Sequence, residues 1–426
     1  MTKPINPMKA SPLELMKIYL SRKMLTMLVL GFSSGIPLAL TGSTLSAWMV
    51  SEGVDIKTIG LFSLVGLPYA LKFLWSPLMD RFVPPFLGRR RGWMIVTQLI
   101  LIAFIAMMGF FNPSSHLVMV AFLAVAVAFF SASQDIVLDA YRTETLEAVE
   151  RGAGAGVWIM GYRIAILVSG AVALILSDHL SWRTVYIIMG SVMIIGCVTT
   201  LLCREPSPTA SDGRAIEPPR SLAEAVVFPF VEFLRRPGAI EILFFVVLYK
   251  IGDVAAAQMT TPFILDHIGF SRTELGTIFK GFGMVATVMG ALAGGALMAR
   301  WSLKKSLFVF GVLQGISTIS FVLLEFTGRQ IWALSFVIGV ENFCGGLGTA
   351  AYMALLMGLC NTKFTATQFA FLSSVMAVSR YVTGAPTGYL VAAAGWIPFF
   401  AICTVLALPA LLLLLRYDRW AVEAKR

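Results

Sequence analysis

Apolar runs, each close to the roughly 20 residues that a helix needs to cross a bilayer core, follow one another along most of this chain. No soluble core can take up so many of them. The chain is 58% hydrophobic and 13% charged, with mean hydropathy +0.83, whereas soluble domains are about 45–50% apolar and about 25% charged. A length of 426 residues would allow two or three soluble domains, but the runs exclude them. The pattern predicts an all-α membrane protein with twelve transmembrane helices near 24–48, 58–79, 92–111, 117–140, 153–177, 182–203, 239–264, 274–299, 306–325, 330–358, 367–392 and 397–416. Met1 to Lys23 is polar and basic and has no small-residue cleavage site, so no cleavable signal is expected.

The basic residues set the orientation. Twenty-four of the 33 Lys and Arg fall in the tails and loops of one side, and four (Lys57, Arg183, Arg272, Arg329) on the other. The positive-inside rule then puts both termini in the cytoplasm. The net charge of +10 follows from the same asymmetry. It suits loops lying on anionic lipid headgroups and implies no nucleic-acid partner. The five cysteines form no CxxC pair and fit small hydrophobes in packed helices. The three histidines lie in outer loops without metal-ligand spacing and read as solvated. Neither GxxxxGK[ST] nor HExxH occurs. No metal, organic cofactor or enzymatic activity is expected.

A polar hinge divides the chain. Arg204 to Gly238 carries Pro206, Pro208, Pro218 and Pro219 and reads as a linker. Ser221 and Glu224 form a capping box, predicting a short amphipathic helix on the inner membrane surface, kinked or broken at Pro229. The expected organisation is a six-helix half over 1–203, a linker over 204–238 and a second half over 239–426. The halves repeat: Arg163 matches Arg380 and Gly35 matches Gly252 at an offset of 217, and PLMDR matches ALMAR at 219. Such an offset predicts duplicated halves in parallel topology.

Two such halves around a linker resemble the major facilitator superfamily. Its signature in the loop between helices 2 and 3 is similar to SPLMDRFVPPFLGRRRGW, which supplies Asp80, Arg81, Gly88, Arg89, Arg90 and Arg91. Ser76 replaces the signature's first glycine, and four extra residues precede Gly88. The loop between helices 4 and 5 adds Glu147, Glu150, Arg151 and Gly152, similar to a second family element. The resemblance implies a cytoplasmic latch made by Asp80, Arg81, Gly88, Arg89, Arg90, Arg91, Glu147 and Arg151. Positive-inside topology alone would explain the arginines, but not Asp80 or Gly88.

Nine charges fall inside the expected spans. The acids are Asp135 and Asp139 on helix 4, Asp253 on helix 7 and Glu341 on helix 10. The bases are Lys72 (helix 2), Arg163 (helix 5), Lys250 (helix 7), Lys280 (helix 8) and Arg380 (helix 11). Each costs about 2.5–3.5 kcal/mol even on the lenient insertion scale, so a wetted or paired transport pathway is the economical reading. The resemblance implies that helices 1, 4, 7 and 10 line the cavity while 3, 6, 9 and 12 face lipid. Asp135 and Asp139, four residues apart, share a helix face. Lys250 and Asp253, three apart, are spaced to pair. Asp135, Asp253, Asp139 and Glu341 are the proton-coupling candidates, and Asp139 is equally placed to pair with Arg81 or Arg142 in the latch. Lys72 and Arg380 are assigned to the interface between halves; Arg163 fits either that interface or substrate. Glycines at 152, 154 and 156, and the GxxxG pairs Gly290/Gly294 and Gly384/Gly388, mark close packing where the halves rock.

The blocks SGIPLALTGSTLSAWM, TIGLFSLVG, KFLWSPLMDR, GRRRGW, SASQDIVLDA, ERGAGA, LYKIGD and ENFCGGLGT, in that order, closely resemble the AmpG muropeptide permease family. That resemblance implies a proton-motive-force-dependent importer of GlcNAc-1,6-anhydro-MurNAc and its peptides in the bacterial inner membrane, serving cell-wall recycling and, in many Gram-negative bacteria, β-lactamase induction. The residues are compatible with it. Lys250, Lys280 and Arg163 suit stem-peptide carboxylates; Gln134, Gln258 and Asn342 suit sugar hydroxyls; Tyr249 and Trp48 suit sugar faces. The partners expected are substrate, proton and bilayer, and the protein is expected to be monomeric. The rival readings are a carrier for another large anion such as an acyl-CoA, a membrane transferase of lipid-linked sugars, and a nontransporting sensor.

Overall fold

The computed structural model describes residues 12–54, 58, 62–206, 224, 226–271 and 274–421; within these, the side chains of 12–15, 63, 266, 280, 378, 380–385 and 420–421 are not described. Among the described residues, nine helices are long and apolar enough to cross a membrane. They are helix 1 (Arg22–Ser51), helix 3 (Arg89–Met108), helix 4 (Leu117–Thr145), helix 5 (Arg151–Ser177), helix 6 (Trp182–Leu202), helix 8 (Leu275–Met298), helix 9 (Leu303–Thr327), helix 10 (Ile331–Leu359) and helix 12 (Trp396–Arg419). The other three expected spans are helical but interrupted or polar. Helix 2 is a chain of short turns from Phe62–Gly66 to Ser76–Arg81. Helix 7 breaks at Tyr249 and Lys250, between Ala239–Leu248 and Ile251–Pro262. Helix 11 (Thr365–Ala394) is continuous but carries Thr367, Gln368, Ser373 and Ser379. A count by hydropathy and length therefore misses them for a physical reason, since polar side chains and non-α turns interrupt their apolar faces.

The linker differs from expectation. Ser221, half of the predicted capping box, lies outside the described residues. Pro229 stands in the first turn of the helix Phe228–Leu234 and starts it instead of kinking it, since that position has no backbone N–H to lose. The helix does not simply lie on the membrane. Its Phe233 is fully buried, with its ring 6.0 Å from that of Phe371 on helix 11. Arg236 donates to Glu232 at 2.7 Å, and Gln368 of helix 11 donates to the Pro229 carbonyl at 3.0 Å. A capping box does occur elsewhere. Ser271 N–H donates to Glu274 at 2.7 Å, and Glu274 N–H donates to the Ser271 hydroxyl at 3.2 Å. These bonds, with Arg329 beside them, hold the Glu274 carboxyl below its ordinary range.

Contacts between the two six-helix halves gather at the basic end of the bundle. Helix 5 meets helix 8 there through small residues: a Cβ at Gly156 would stand 2.6 Å from the Ala291 carbonyl oxygen. One turn further toward that end, a Cβ at Gly295 would stand 2.6 Å from the Gly152 carbonyl oxygen. Tyr19 adds a bond from its hydroxyl to the Leu292 carbonyl at 2.6 Å. The GxxxG pair expected at this interface faces the other way. Gly290 and Gly294 pack against Phe343 and Leu347 of helix 10, inside their own half. The side chain at 384 is not described, and a Cβ at Gly388 would meet nothing within 4 Å.

Candidate functional site

The loop after helix 2 builds a clasp on the basic end. Gly88 has φ of 84°, a conformation that favours glycine, and a Cβ there would stand 2.7 Å from the Glu205 carboxyl carbon. The free space lets Glu205 cap helix 3: it accepts the backbone N–H of Arg90 at 2.8 Å and of Arg91 at 2.9 Å. An acid at a helix N-terminus satisfies orphan donors and complements the macrodipole. The Arg90 guanidinium, wholly buried, donates to Asp80 at 2.9 Å and through Nε to both oxygens of Glu144 at 3.1 Å. Arg89 reaches Glu144 at 3.3 Å, and Arg91 donates to the carbonyls of Thr200 and Leu201 at the end of helix 6. Asp80 also crosses between the halves, accepting from Thr367 N–H at 2.9 Å and its hydroxyl at 2.8 Å. It thereby caps the first turn of helix 11.

Other residues assigned to the latch stand apart from this clasp. Arg81 lies 5.7 Å from the Phe82 ring and has no ion pair among the described residues. Glu147 is exposed and 3.7 Å from Lys23, whose closer partner is Glu150 at 2.9 Å. No ion pair joins Glu147 to Arg151 among the described residues. The acids that do bind the arginines, Glu144 and Glu205, were missed from sequence. A signal existed, since Arg89, Arg90 and Arg91 need counter-charges and Glu144 and Glu205 close the two helices that flank them. Arg90→Ala would leave Asp80, 0% exposed, without its counterion, and Glu144, 1% exposed, with only Arg89 at 3.3 Å. It is expected to destabilise the fold by about 3–5 kcal/mol, read as a lowered Tm of the purified protein in detergent. An unchanged Tm would show that the two carboxylates do not depend on Arg90.

One turn deeper lies a second cluster. Asp139 accepts from Arg142 at 2.9 Å and stands 3.5 Å from Lys72 of helix 2. Asp135 accepts the Ser34 hydroxyl of helix 1 at 2.5 Å. Lys72 therefore pairs inside its own half. Gln134 is wholly buried and donates to Ser33 at 3.1 Å, so its amide faces helix 1.

The C-terminal half holds a third cluster. Lys250 sits at the break in helix 7 and donates to Asp253 at 3.0 Å and to Gln314 of helix 9 at 3.0 Å. Gln314 in turn donates to Asp253. Glu341 accepts from Ser317 at 2.6 Å and Thr318 at 3.4 Å, both on helix 9. Helices 3, 6 and 9, expected to face lipid, also bring neutral polar side chains to the interior. Gln314, Ser317 and Thr318 bind the acids, and Gln98 of helix 3 accepts from Thr200 of helix 6 at 2.9 Å. Neutral polar side chains carry no charge signal in sequence.

Two aromatic candidates are packed into cores. Trp48 is 3% exposed, with its ring 5.6 Å from Trp182 and 5.1 Å from Tyr186. Tyr249 stacks on Tyr352 at 5.5 Å and donates to the Leu307 carbonyl at 3.1 Å. Hydropathy places a residue on a span but not on a face, hence the error. Asn342 ties helix 10 to helix 8, accepting from Thr287 at 3.0 Å. Gln258 is half-buried and engaged. The side chains of Lys280 and Arg380 lie outside the described ones. Arg163 is exposed and has no ion pair among the described residues. It stands seven residues after Gly156, on the same helix face and about 10 Å further along. His267, expected to be solvated, pairs with Glu325 at 2.9 Å and stacks on Phe263. Among the described residues no group of three or more His, Cys, Asp or Glu is arranged to hold a metal ion. A face closed by a charged clasp, with ionisable clusters behind it, suits gated movement of solute and ion.

The family model for the Major Facilitator Superfamily matches residues 27–385 and 258–424. The anhydromuropeptide permease of Escherichia coli K12 is 48% identical over 403 residues, covering 94% of this chain and 81% of that protein. An uncharacterized protein of Haemophilus influenzae is 38% identical, covering 92% and 94%. Putative transporter AmpG 1 of Rickettsia bellii is 32% identical, covering 93% and 98%. Among solved structures, the proton:xylose symporter XylE superposes with TM-score 0.68 at 11% identity, covering 95% of each chain. The transporter FucP in an outward conformation gives 0.68 at 12%, covering 94% and 99%. Those two likenesses concern the fold.

Proposed function

We propose that this chain, which belongs to the major facilitator superfamily and within it to the anhydromuropeptide permease family, imports GlcNAc-1,6-anhydro-MurNAc and its peptides. Membership makes it a secondary transporter and not an enzyme. The observation that carries the substrate reading is the 48% identity over 94% of the chain to a named anhydromuropeptide permease. In this reading the basic face is cytoplasmic, the protein is a monomer in the bacterial inner membrane, and protons drive uptake.

Transport proceeds by alternating access, the two halves rocking about a central site. The clasp of Asp80, Arg90 and Glu144 with helix 11 closes the cytoplasmic face while the other side admits solute. Arg163, exposed and without an ion pair among the described residues, binds a stem-peptide carboxylate by charge-assisted hydrogen bonds, and Lys280 assists it from helix 8. Protons bind the helix 4 acids, Asp135 with Asp139, or the Asp253 and Glu341 cluster. Coupling arises because substrate and proton bind the two states with different affinity.

The test is uptake of labelled GlcNAc-1,6-anhydro-MurNAc-tripeptide into proteoliposomes with and without an imposed pH gradient. Gradient-dependent accumulation is expected. Absence of uptake from protein shown to be folded would overturn the muropeptide reading and leave the transporter assignment standing.

A further inference from the structure

Arg142 stands where a titratable cluster touches the opposite half. It lies on helix 4, 2% exposed, and donates to Asp139 Oδ1 at 2.9 Å. Lys72 approaches the other oxygen, Asp139 Oδ2, at 3.5 Å. The guanidinium is 4.7 Å from the Trp158 ring of helix 5 and 5.5 Å from the Phe369 ring of helix 11. Helices 4 and 5 belong to one half and helix 11 to the other. The same cation thus holds a carboxylate of its own half and an aromatic face of the other. Phe369 lies two residues after Thr367, which receives Asp80, so Arg142 and the clasp grip neighbouring positions of one helix.

The charges around this point balance. Asp139 faces Lys72, Asp135, Arg142 and the Cys360 thiol at the end of helix 10. Asp135 faces Lys72, Asp139 and Arg142, with the Ser34 and Tyr69 hydroxyls beside it. The contacts from helices 5 and 11 are the uncharged Trp158 and Phe369. With both carboxylates ionised, two anions match two cations. One added proton leaves a surplus positive charge in a place with little water, and an uncompensated buried charge is strongly unfavourable. Hydration relieves it, and water reaches Arg142 when Phe369 moves away. Separation of helix 11 from helix 4 at the basic end is the same movement.

We propose that Arg142 is a positioning residue that couples protonation of the helix 4 acids to release of helix 11. While the cluster is balanced, Asp139 holds the guanidinium against Trp158 and Phe369, and cation–π attraction keeps the halves together. After a proton binds, the guanidinium exchanges the Phe369 face for water. The inference rests on the proton-driven reading above and assigns a residue to it.

The experiment compares wild type, Arg142→Gln, Arg142→Lys and Phe369→Leu in proteoliposomes. The probe is the labelled GlcNAc-1,6-anhydro-MurNAc-tripeptide. Two readouts are taken: accumulation under a one-unit pH gradient, and exchange at equal pH on both sides, measured as a function of pH. Arg142→Gln is expected to keep exchange within about threefold while accumulation falls about tenfold, to parity, because one pH unit is worth about a factor of ten per proton. Its exchange is expected to lose the pH dependence of wild type. Arg142→Lys restores charge without the guanidinium group, so partial recovery is expected. Phe369→Leu leaves every charge in place and is expected to shift the pH profile. Accumulation and pH profile equal to wild type in the Arg142 variants would overturn the proposal. So would equal loss of exchange and accumulation at unchanged Tm, which would mark a general structural role. If Arg142→Gln does not fold, Phe369→Leu carries the test, and a wild-type profile there overturns it. Wild type that transports without responding to the gradient would overturn the proton-driven reading itself, a distinct result.

Discussion

The Asp135→Asn variant is expected to equilibrate its substrate across the membrane and no longer concentrate it. Asp135 is half-buried, takes a 2.5 Å hydrogen bond from Ser34, and shares its surroundings with Lys72, Asp139 and Arg142. Asparagine keeps the shape and the bond to Ser34 but cannot exchange a proton. A gradient of one pH unit supplies about 1.4 kcal/mol per proton, so wild type should accumulate solute about tenfold per coupled proton and the variant should stop at parity. Exchange at equal pH should persist, because it needs rocking but no net proton movement. Ser34→Ala is the control: it removes one bond without removing the titratable group, so accumulation should survive. If Asp135→Asn still concentrates tenfold, the proton rides elsewhere. The Lys250, Asp253, Gln314 and Glu341 cluster is then next in line.

The second large effect is mechanical. Gly156→Leu is expected to hold the basic face open while leaving each half folded. At that position a Cβ would stand 2.6 Å from the Ala291 carbonyl oxygen and 3.1 Å from the Leu292 Cα, both backbone atoms. Backbone cannot turn aside as a side chain would, so helices 5 and 8 must separate. Overpacking by a methylene or more costs about 1–3 kcal/mol, and a leucine adds several. A shift of about 3 kcal/mol reduces the closed population about 100-fold, and uptake should fall with it. Cys360, half-buried at the end of helix 10, reports the change: its maleimide labelling should speed up in the variant. Labelling and uptake at wild-type rates would show that this close approach is not what closes the face.

Much of the fold was legible because bilayer thickness imposes a length on apolar runs that few other constraints resemble. The three spans that depart from it are those whose turns are broken or polar: helix 2, helix 7 at Lys250, and helix 11. Charges within spans were also legible, because their cost makes each one conspicuous. What sequence does not display is azimuth. Trp48 and Tyr249 lie on suitable helices but point into cores, and Gly290 and Gly294 face helix 10 while Gly156 and Gly295 make the contact between halves. Nor does it display which acid will find which base across a fold. Glu144 and Glu205 come to Arg90 from distant segments, and Gln314 reaches Asp253 from a helix expected to face lipid.

Asp80 touches Arg90 within its own half and the first turn of helix 11 in the other. When helix 11 leaves, the carboxylate keeps Arg90, and the Thr367 donors turn to water. No charge is orphaned by the separation; three hydrogen bonds to a charged group are exchanged, from Ala366 N–H and from the two Thr367 donors, the two from Thr367 each worth about 1.5–3 kcal/mol. That is enough to lengthen the closed dwell time by a factor of roughly 10²–10⁴. A stronger grip, made by an ion pair between the halves, would lengthen each dwell until it governed turnover. Under the proposed cycle, the shared carboxylate would act as a timer as much as a lock.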